Sequence, residues 1–400
     1  MSLPRVVVLR GHSANPWELR AWELLLDQFD VVVAVTGSNH HDLDGVGVES
    51  IRVRAVRDGF PRGRVGDLAT LAVGDRYVRL EDALAGADIV HSAELGVWFS
   101  GQPAAVKRKL GFRLVLTAWE TIPFRDTFRR NRGRRHRAAA LAEADLYLPA
   151  TERARRCLLL EGVAENRIVV SPPGIDTDRF GRASQETVEH HLIVSPGRLV
   201  WEKGHYDVIR ALATLPAGVR LRIVGSGPER VRLLRYADEL GLAGRVEIGA
   251  VPYDDMPGVF AAASCVVLAS LPTPLWEEQF GMVLAEAMAA GTPIVASSSG
   301  AIPEVLAGSG AALFPPGDWA ALADFLTAGP LSRPPGERVA YPTEVVSRYS
   351  TTAAAERLAA AYERVLADRD VVLHRSAGDF GVGPSNELRG AGPRIVGGAQ

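Results

Sequence analysis

Short apolar runs alternate with stretches of helical hydrophobic spacing along nearly the whole chain. Residues 6–9, 31–35, 89–90, 114–116 and 146–148 read as strands. Asn15-Pro16-Trp17-Glu18 opens a helix between the first two, with a cap, a proline at its first position and a glutamate placed to reach back. A polar stretch, 181–190, reads as a hinge. The rhythm then resumes with strands at 191–195, 221–224, 246–248, 265–268 and 293–296, and helices at 205–215, 229–240, 254–263 and 280–290. Strand and helix in strict alternation predict parallel sheets flanked by helices, an α/β chain with ligands at the carboxyl ends of the strands. Residues 352–367 are helical by pattern. Beyond 370 the chain is Gly-rich and aperiodic, so 371–400 reads as a disordered tail.

Length makes this two domains, since 400 residues exceed one ordinary core. With 47% apolar and 23% charged residues each half can bury a core, and a net charge of -2 argues against a nucleic-acid binder. Cys157 and Cys265 stand far apart without metal-ligand neighbours and read as buried thiols in a reducing compartment. No run approaches a membrane span, and the expectation is a cytoplasmic protein.

Residues 275–291, Leu-Trp-Glu-Glu-Gln-Phe-Gly-Met-Val-Leu-Ala-Glu-Ala-Met-Ala-Ala-Gly, carry the most chemistry. The helical run ends at Gly291-Thr292-Pro293, and amides of Gln279, Phe280, Gly281, Met282 and Val283 at its start would face an anion. Glu278 and Glu286, eight positions apart, can bracket that anion by accepting hydrogen bonds from hydroxyls on either side. Hydroxyls flanking a diphosphate describe a nucleotide sugar. Glu286 shares its helix face with Val283, Ala287 and Ala290 and is expected to point at a covered surface, where an unpaired carboxylate is costly. Glu277 reads as a solvated loop charge. Arg198 and Lys203 follow a strand end, where an Arg fork and a Lys point charge suit phosphate oxygens.

This segment resembles the Glu-x7-Glu signature of family-4 glycosyltransferases, retaining enzymes of the GT-B fold. Val194-Ser-Pro-Gly-Arg198-Leu-Val-Trp-Glu-Lys203-Gly204, Val224-Gly-Ser-Gly-Pro228, Pro172-Pro-Gly-Ile-Asp176 and Ser299-Gly-Ala-Ile-Pro-Glu304 fall in that family's order. The resemblance implies two Rossmann-like doubly wound domains facing a central cleft. Residues 1–182 would form an acceptor domain, rejoined by the C-terminal helix 352–368, and 191–345 a nucleotide-sugar donor domain. It further implies that Glu286 takes the donor's ribose and Glu278 its sugar, while Arg198 and Lys203 hold the diphosphate. Gly225 and Gly227 would line the nucleotide side, and Gly11 the loop after the first strand.

The implied reaction is transfer of a hexosyl group from a nucleoside diphosphate to an acceptor hydroxyl, with neither metal nor other cofactor. The family's histidine on the acceptor side is missing, its place reading Thr117-Ala-Trp-Glu120. Glu120 is a candidate substitute, and Trp119, His91 and Glu94 are further acceptor-side candidates. Arg125, Arg129, Arg130, Arg132, Arg134, Arg135 and Arg137 cluster with Phe124 and Phe128, a pattern suited to an anionic lipid acceptor or peripheral membrane contact. A solvated arginine face explains them nearly as well. The acceptor class stays open among sugar, lipid and small molecule. Two alternatives stand: a non-catalytic nucleotide-sugar binder, and a GT-B epimerase or phosphorylase.

Overall fold

The computed structural model describes residues 2–125, 131–182 and 189–378. Twelve strands make two parallel sheets among these residues. The first comprises β1 (Arg5–Leu9), β2 (Asp30–Val35), β3 (Glu49–Arg52), β4 (Ile89–Ala93), β5 (Arg113–Ala118) and β6 (Leu146–Pro149). Their order, β3-β2-β1-β4-β5-β6, is that of a doubly wound dinucleotide-binding sheet. The second comprises β7 (Leu192–Pro196), β8 (Arg220–Val224), β9 (Val246–Gly249), β10 (Cys265–Leu268), β11 (Ile294–Ser297) and β12 (Ala312–Phe314), ordered β12-β11-β10-β7-β8-β9. Renumbered from β7, that order repeats the first.

Burial on both faces explains why these strands are continuously apolar. In β1, Val7 and Leu9 enter one core while Val6 and Val8 enter the core on the opposite face, and none of the four is exposed. Each contributes about 1.5–3 kcal/mol of transfer free energy. The helix Pro16–Glu23 begins as its sequence predicts, with the Asn15 side-chain oxygen Oδ1 accepting from the Glu18 amide at 2.8 Å. The Glu18 carboxylate reaches back to the cap's side chain, Oε2 accepting from Asn15 Nδ2 at 3.5 Å, while its Oε1 accepts from Arg10 Nε at 2.6 Å.

The helix Thr351–Gly378 packs against the first sheet. Ala354, Ala355, Leu358, Ala361, Tyr362 and Val365 recur at helical spacing and join the core of Val6 and Val8. The Tyr362 hydroxyl lies 2.8 Å from Trp22 Nε1, which donates to it, and 2.6 Å from His91 Nδ1. This helix takes in residues 371–378 of the stretch expected to be irregular. Residues 379–400, and 183–188 of the expected hinge, lie outside the described residues. Both cysteines are buried and unpaired.

Candidate donor site in the interdomain cleft

The two halves enclose a cleft of about 870 Å³, with Trp17, Trp119 and Arg179 among its walls beside Tyr253, Met282 and Glu286. Its C-terminal wall is built on the helix Met282–Ala289, capped by Gly281 in the left-handed conformation. Glu286 sits inside this helix at 3% exposure. Its Oε1 accepts from the Tyr253 hydroxyl at 2.8 Å, and burial pushes the carboxyl up to about 7 despite that bond and Arg179 nearby. The same burial raises the Tyr253 hydroxyl, reinforced by the Glu286 charge. The Tyr253 ring is held between halves: Trp17 packs at 4.4 Å between centroids, and the Arg179 guanidinium lies 4.6 Å over its face.

Glu278 is nearly as buried, and its Oε2 accepts from Lys203 Nζ and from Ser270 Oγ, each at 2.6 Å. The Lys203 ammonium also lies 5.2 Å from the Trp276 ring centroid. The backbone around Glu278 is clamped by the loop after β11, since Ala301 N donates to the Glu278 carbonyl at 2.8 Å. Gly300 makes this approach feasible, because at φ +56° a Cβ there would lie 2.1 Å from the Glu278 oxygen. Gly225 and Gly227 do comparable work, packing on the backbone of Gly197 and Leu199, where a Cβ would meet carbonyl oxygens at 1.9 and 2.4 Å. Arg198 is exposed on that loop, whose position is fixed by His205 Nε2, 3.2 Å from the Arg198 carbonyl.

The Phe280 side chain is core, 2% exposed, with its ring centroid 6.2 Å from that of Trp119 and 5.4 Å from that of Tyr349, so only its backbone is offered to a ligand. Val283 and Gln279 are half-buried beside it. Gly11 lies in the turn after β1, where its amide donates to the Tyr77 hydroxyl and a Cβ would meet the Phe99 ring.

On the N-terminal wall several expectations change. His91 is fully buried between Tyr362 and Thr117 Oγ1, and burial holds it well below the ordinary histidine value, so it is a neutral core residue. Glu94 accepts from the Trp119 amide at 2.8 Å and thereby positions the tryptophan. Glu120 is spoken for, accepting from its own turn at Ile122 N and from Arg125 Nη1 at 2.6 Å. The pairing engages Arg125 of the basic cluster as well. Arg137 is likewise ion-paired to Glu161. Arg132 donates to the Leu71 and Ala72 carbonyls. Arg129, Arg130 and Phe128 lie outside the described residues.

Glu277 is not solvated. Its carboxylate takes both Arg153 Nε and Nη2, at 2.5 and 2.6 Å, from the helix Glu152–Leu160 of the N-terminal half. Beside it the Glu304 carboxylate accepts from the amides of Glu152 and Arg153, at 2.6 and 3.1 Å, at that helix's first turn. These two carboxylates tie the halves together on either side of the Glu278 backbone. Sequence reasoning missed this pair, and missed Tyr253, Arg179 and Ser270. The position of Tyr253 in the loop after β9 was the available signal. Among the described residues no group of three or more His, Cys, Asp or Glu is arranged to hold a metal ion, and no helix is long and apolar enough to cross a membrane.

Two repeated Rossmann-like halves facing a cleft, with a Glu-x7-Glu segment on its C-terminal wall, define the GT-B class of protein. The model for "Glycosyl transferases group 1" matches residues 176–328 and that for "Glycosyltransferase Family 4" residues 21–179. The chain belongs to the family-4 glycosyltransferases. It is 33% identical over 260 residues to D-inositol 3-phosphate glycosyltransferase of Mycobacterium tuberculosis (strain ATCC 25618 / H37Rv), a match over 59% of this chain and 52% of that protein. It thus spans about half the length of the curated relatives it matches. Among solved structures, Anabaena HepE in complex with UDP and glucose aligns with TM-score 0.70 at 18% identity, covering 90% of this chain and 100% of that one. Sucrose-phosphate synthase from Thermosynechococcus elongatus aligns with TM-score 0.67 at 19% identity, covering 91% and 100%. At such identities the likeness shows the fold.

Proposed function

We propose that the protein is a retaining glycosyltransferase moving a hexosyl group from a nucleoside diphosphate, with UDP the favoured carrier, to an acceptor hydroxyl. The observation that carries this reading is the placement of Glu286 and Glu278. One lies on the cleft wall with Tyr253, the other eight residues earlier is held by Lys203 and Ser270, and the helix start lies between them. A solved neighbour holding UDP and glucose, and a curated relative named for glycosyl transfer, support it.

In the proposed reaction the bond from the sugar's anomeric carbon to phosphate breaks, and the acceptor oxygen bonds that carbon on the same face. The acceptor's proton goes to the departing phosphate. Glu286 accepts from ribose hydroxyls and Glu278 from sugar hydroxyls. Lys203, with Arg198 on the neighbouring loop, offsets charge growing on the diphosphate. The ammonium of Lys203 is already oriented by Glu278 and Ser270's partner bond, which lowers the reorganisation needed as the bond breaks.

The test is to incubate the protein with UDP-, GDP- and ADP-glucose, and follow nucleoside diphosphate release and anomeric configuration by NMR. Expected is release with the α configuration preserved, and Lys203→Met lowering kcat about 30–1,000-fold, equivalent to roughly 2–4 kcal/mol of transition-state stabilisation. Donor binding without release above the Lys203→Met background would make the protein a nucleotide-sugar binder. Conversion of the donor's own sugar would make it an epimerase.

A further inference from the structure

Solvent-facing aliphatic side chains are normally scattered singly. Here four of the fifteen large exposed hydrophobic residues among those described fall on one ten-residue helix, Arg64–Val73, and three of them form a patch on one side of it. Val65 is 73% exposed, Leu68 66%, Val73 52% and Leu71 47%. Val65 and Leu68 stand three positions apart, with Leu71 three further on, and share one side of the helix. Only Gly66 of this helix is buried, so most of its apolar surface covers no core.

The charge around the patch is one-sided. The helix's acid, Asp67, is paired with Arg57, and Asp75 just beyond it with His12 Nε2. Arg62 and Arg64, at the helix start, are exposed, and among the described residues no hydrogen bond or ion pair engages their side chains. At the other end Arg132 brings the arginine-rich helix Asn131–Glu143 against the patch through the Leu71 and Ala72 carbonyls. Arg134 and Arg135 on that helix are exposed too.

We infer that the helix Arg64–Val73 and the arginines at its two ends form a docking surface for an anionic lipid bilayer, lying in the plane of the interface. Aliphatic side chains on one face enter the boundary between headgroups and acyl chains, and the flanking guanidinium groups meet the phosphates. Charge complementarity selects this occupant over a second copy of the chain, which would set the same arginines against each other. The surface lies on the N-terminal half, on elements that contribute no donor contact. Membrane attachment therefore stands or falls separately from the proposed glycosyl transfer.

The experiment is co-sedimentation of the full chain with vesicles of pure phosphatidylcholine and of equimolar phosphatidylcholine and phosphatidylglycerol, at low and high salt. It uses the wild type, Val65→Ser/Leu68→Ser and Arg62→Ser/Arg64→Ser, with circular dichroism melting showing each folded. Donor hydrolysis should be equal in all three. Expected is pelleting of the wild type with anionic vesicles, weakened by salt. Removing the two arginines should weaken partition about 25-fold, at roughly fivefold per basic group, and the aliphatic variant should lose binding in both salt conditions. Wild type remaining in the supernatant with anionic vesicles, or pelleting equally in all variants, overturns the inference. So does sedimentation as a dimer that Val65→Ser/Leu68→Ser converts to monomer without lipid, which would assign the face to a second copy.

Discussion

Replacing Glu286 by Gln isolates the cost of holding a carboxylate on the cleft wall. Burial moves this carboxyl from its ordinary 4.5 to about 7. For an acid raised in the native state, the stabilising contribution is complete below the unfolded value, near 4.5, and disappears as pH rises through about 7. At about 1.4 kcal/mol per pH unit the full span is roughly 3 kcal/mol, of which about 2.5 falls between pH 5 and 8. Glutamine keeps the shape and an acceptor for Tyr253 but has no proton to lose. Urea unfolding of wild type and Glu286→Gln across pH 5–8, with no nucleotide added, should therefore show the wild type losing about 2.5 kcal/mol relative to the variant. Donor affinity of the wild type should move the opposite way, weakening about tenfold from pH 8 to pH 6, because only the ionised carboxylate accepts from both ribose hydroxyls. A wild-type-minus-variant difference independent of pH would mean that Glu286 is ionised throughout, and would refute the reasoning.

Two other perturbations follow from ion pairs the structure reveals. Arg153→Ala strands the Glu277 carboxylate at 9% side-chain exposure, yet Arg153 itself is 49% exposed. The cost should thus fall between surface and buried pairs, at roughly 2 kcal/mol. The closed arrangement would be disfavoured about 30-fold, seen as a larger radius of gyration in X-ray scattering and weaker donor binding, and identical scattering would discount the link. Glu120→Ala breaks the pairing with Arg125 and should lower the melting temperature by a few degrees while leaving kcat/KM within about twofold. A collapse of kcat at unchanged melting temperature would put Glu120 back among the reacting groups.

Both Rossmann-like repeats were legible because their central strands are buried on two faces and leave unbroken apolar runs. Two of the four edge strands were not: β3 reads Glu-Ser-Ile-Arg with three of its four residues exposed, and β12 is three residues long. The same division holds at the site. Glu278 and Glu286 announce themselves by spacing along one segment, whereas Tyr253 and Arg179 meet Glu286 from short helical turns 33 and 107 positions away in sequence. Glu277 misled because a charge in a polar loop gives no sign of a partner 124 residues earlier. The pairing of Glu120 with Arg125 was hidden for the converse reason, its local partner lying within a run whose charge suggested a surface function.

The route of the last described helix also bears on how the chain is made. Trp22 and His91 both meet the Tyr362 hydroxyl, so the first sheet's inner face is finished by residues synthesised some two hundred positions after β6. At about 5–20 residues per second, that leaves the face uncovered for roughly 10–40 s while the ribosome completes the second sheet. The half that emerges first is therefore the half that closes last, and the nascent chain carries an open apolar surface through most of its own translation.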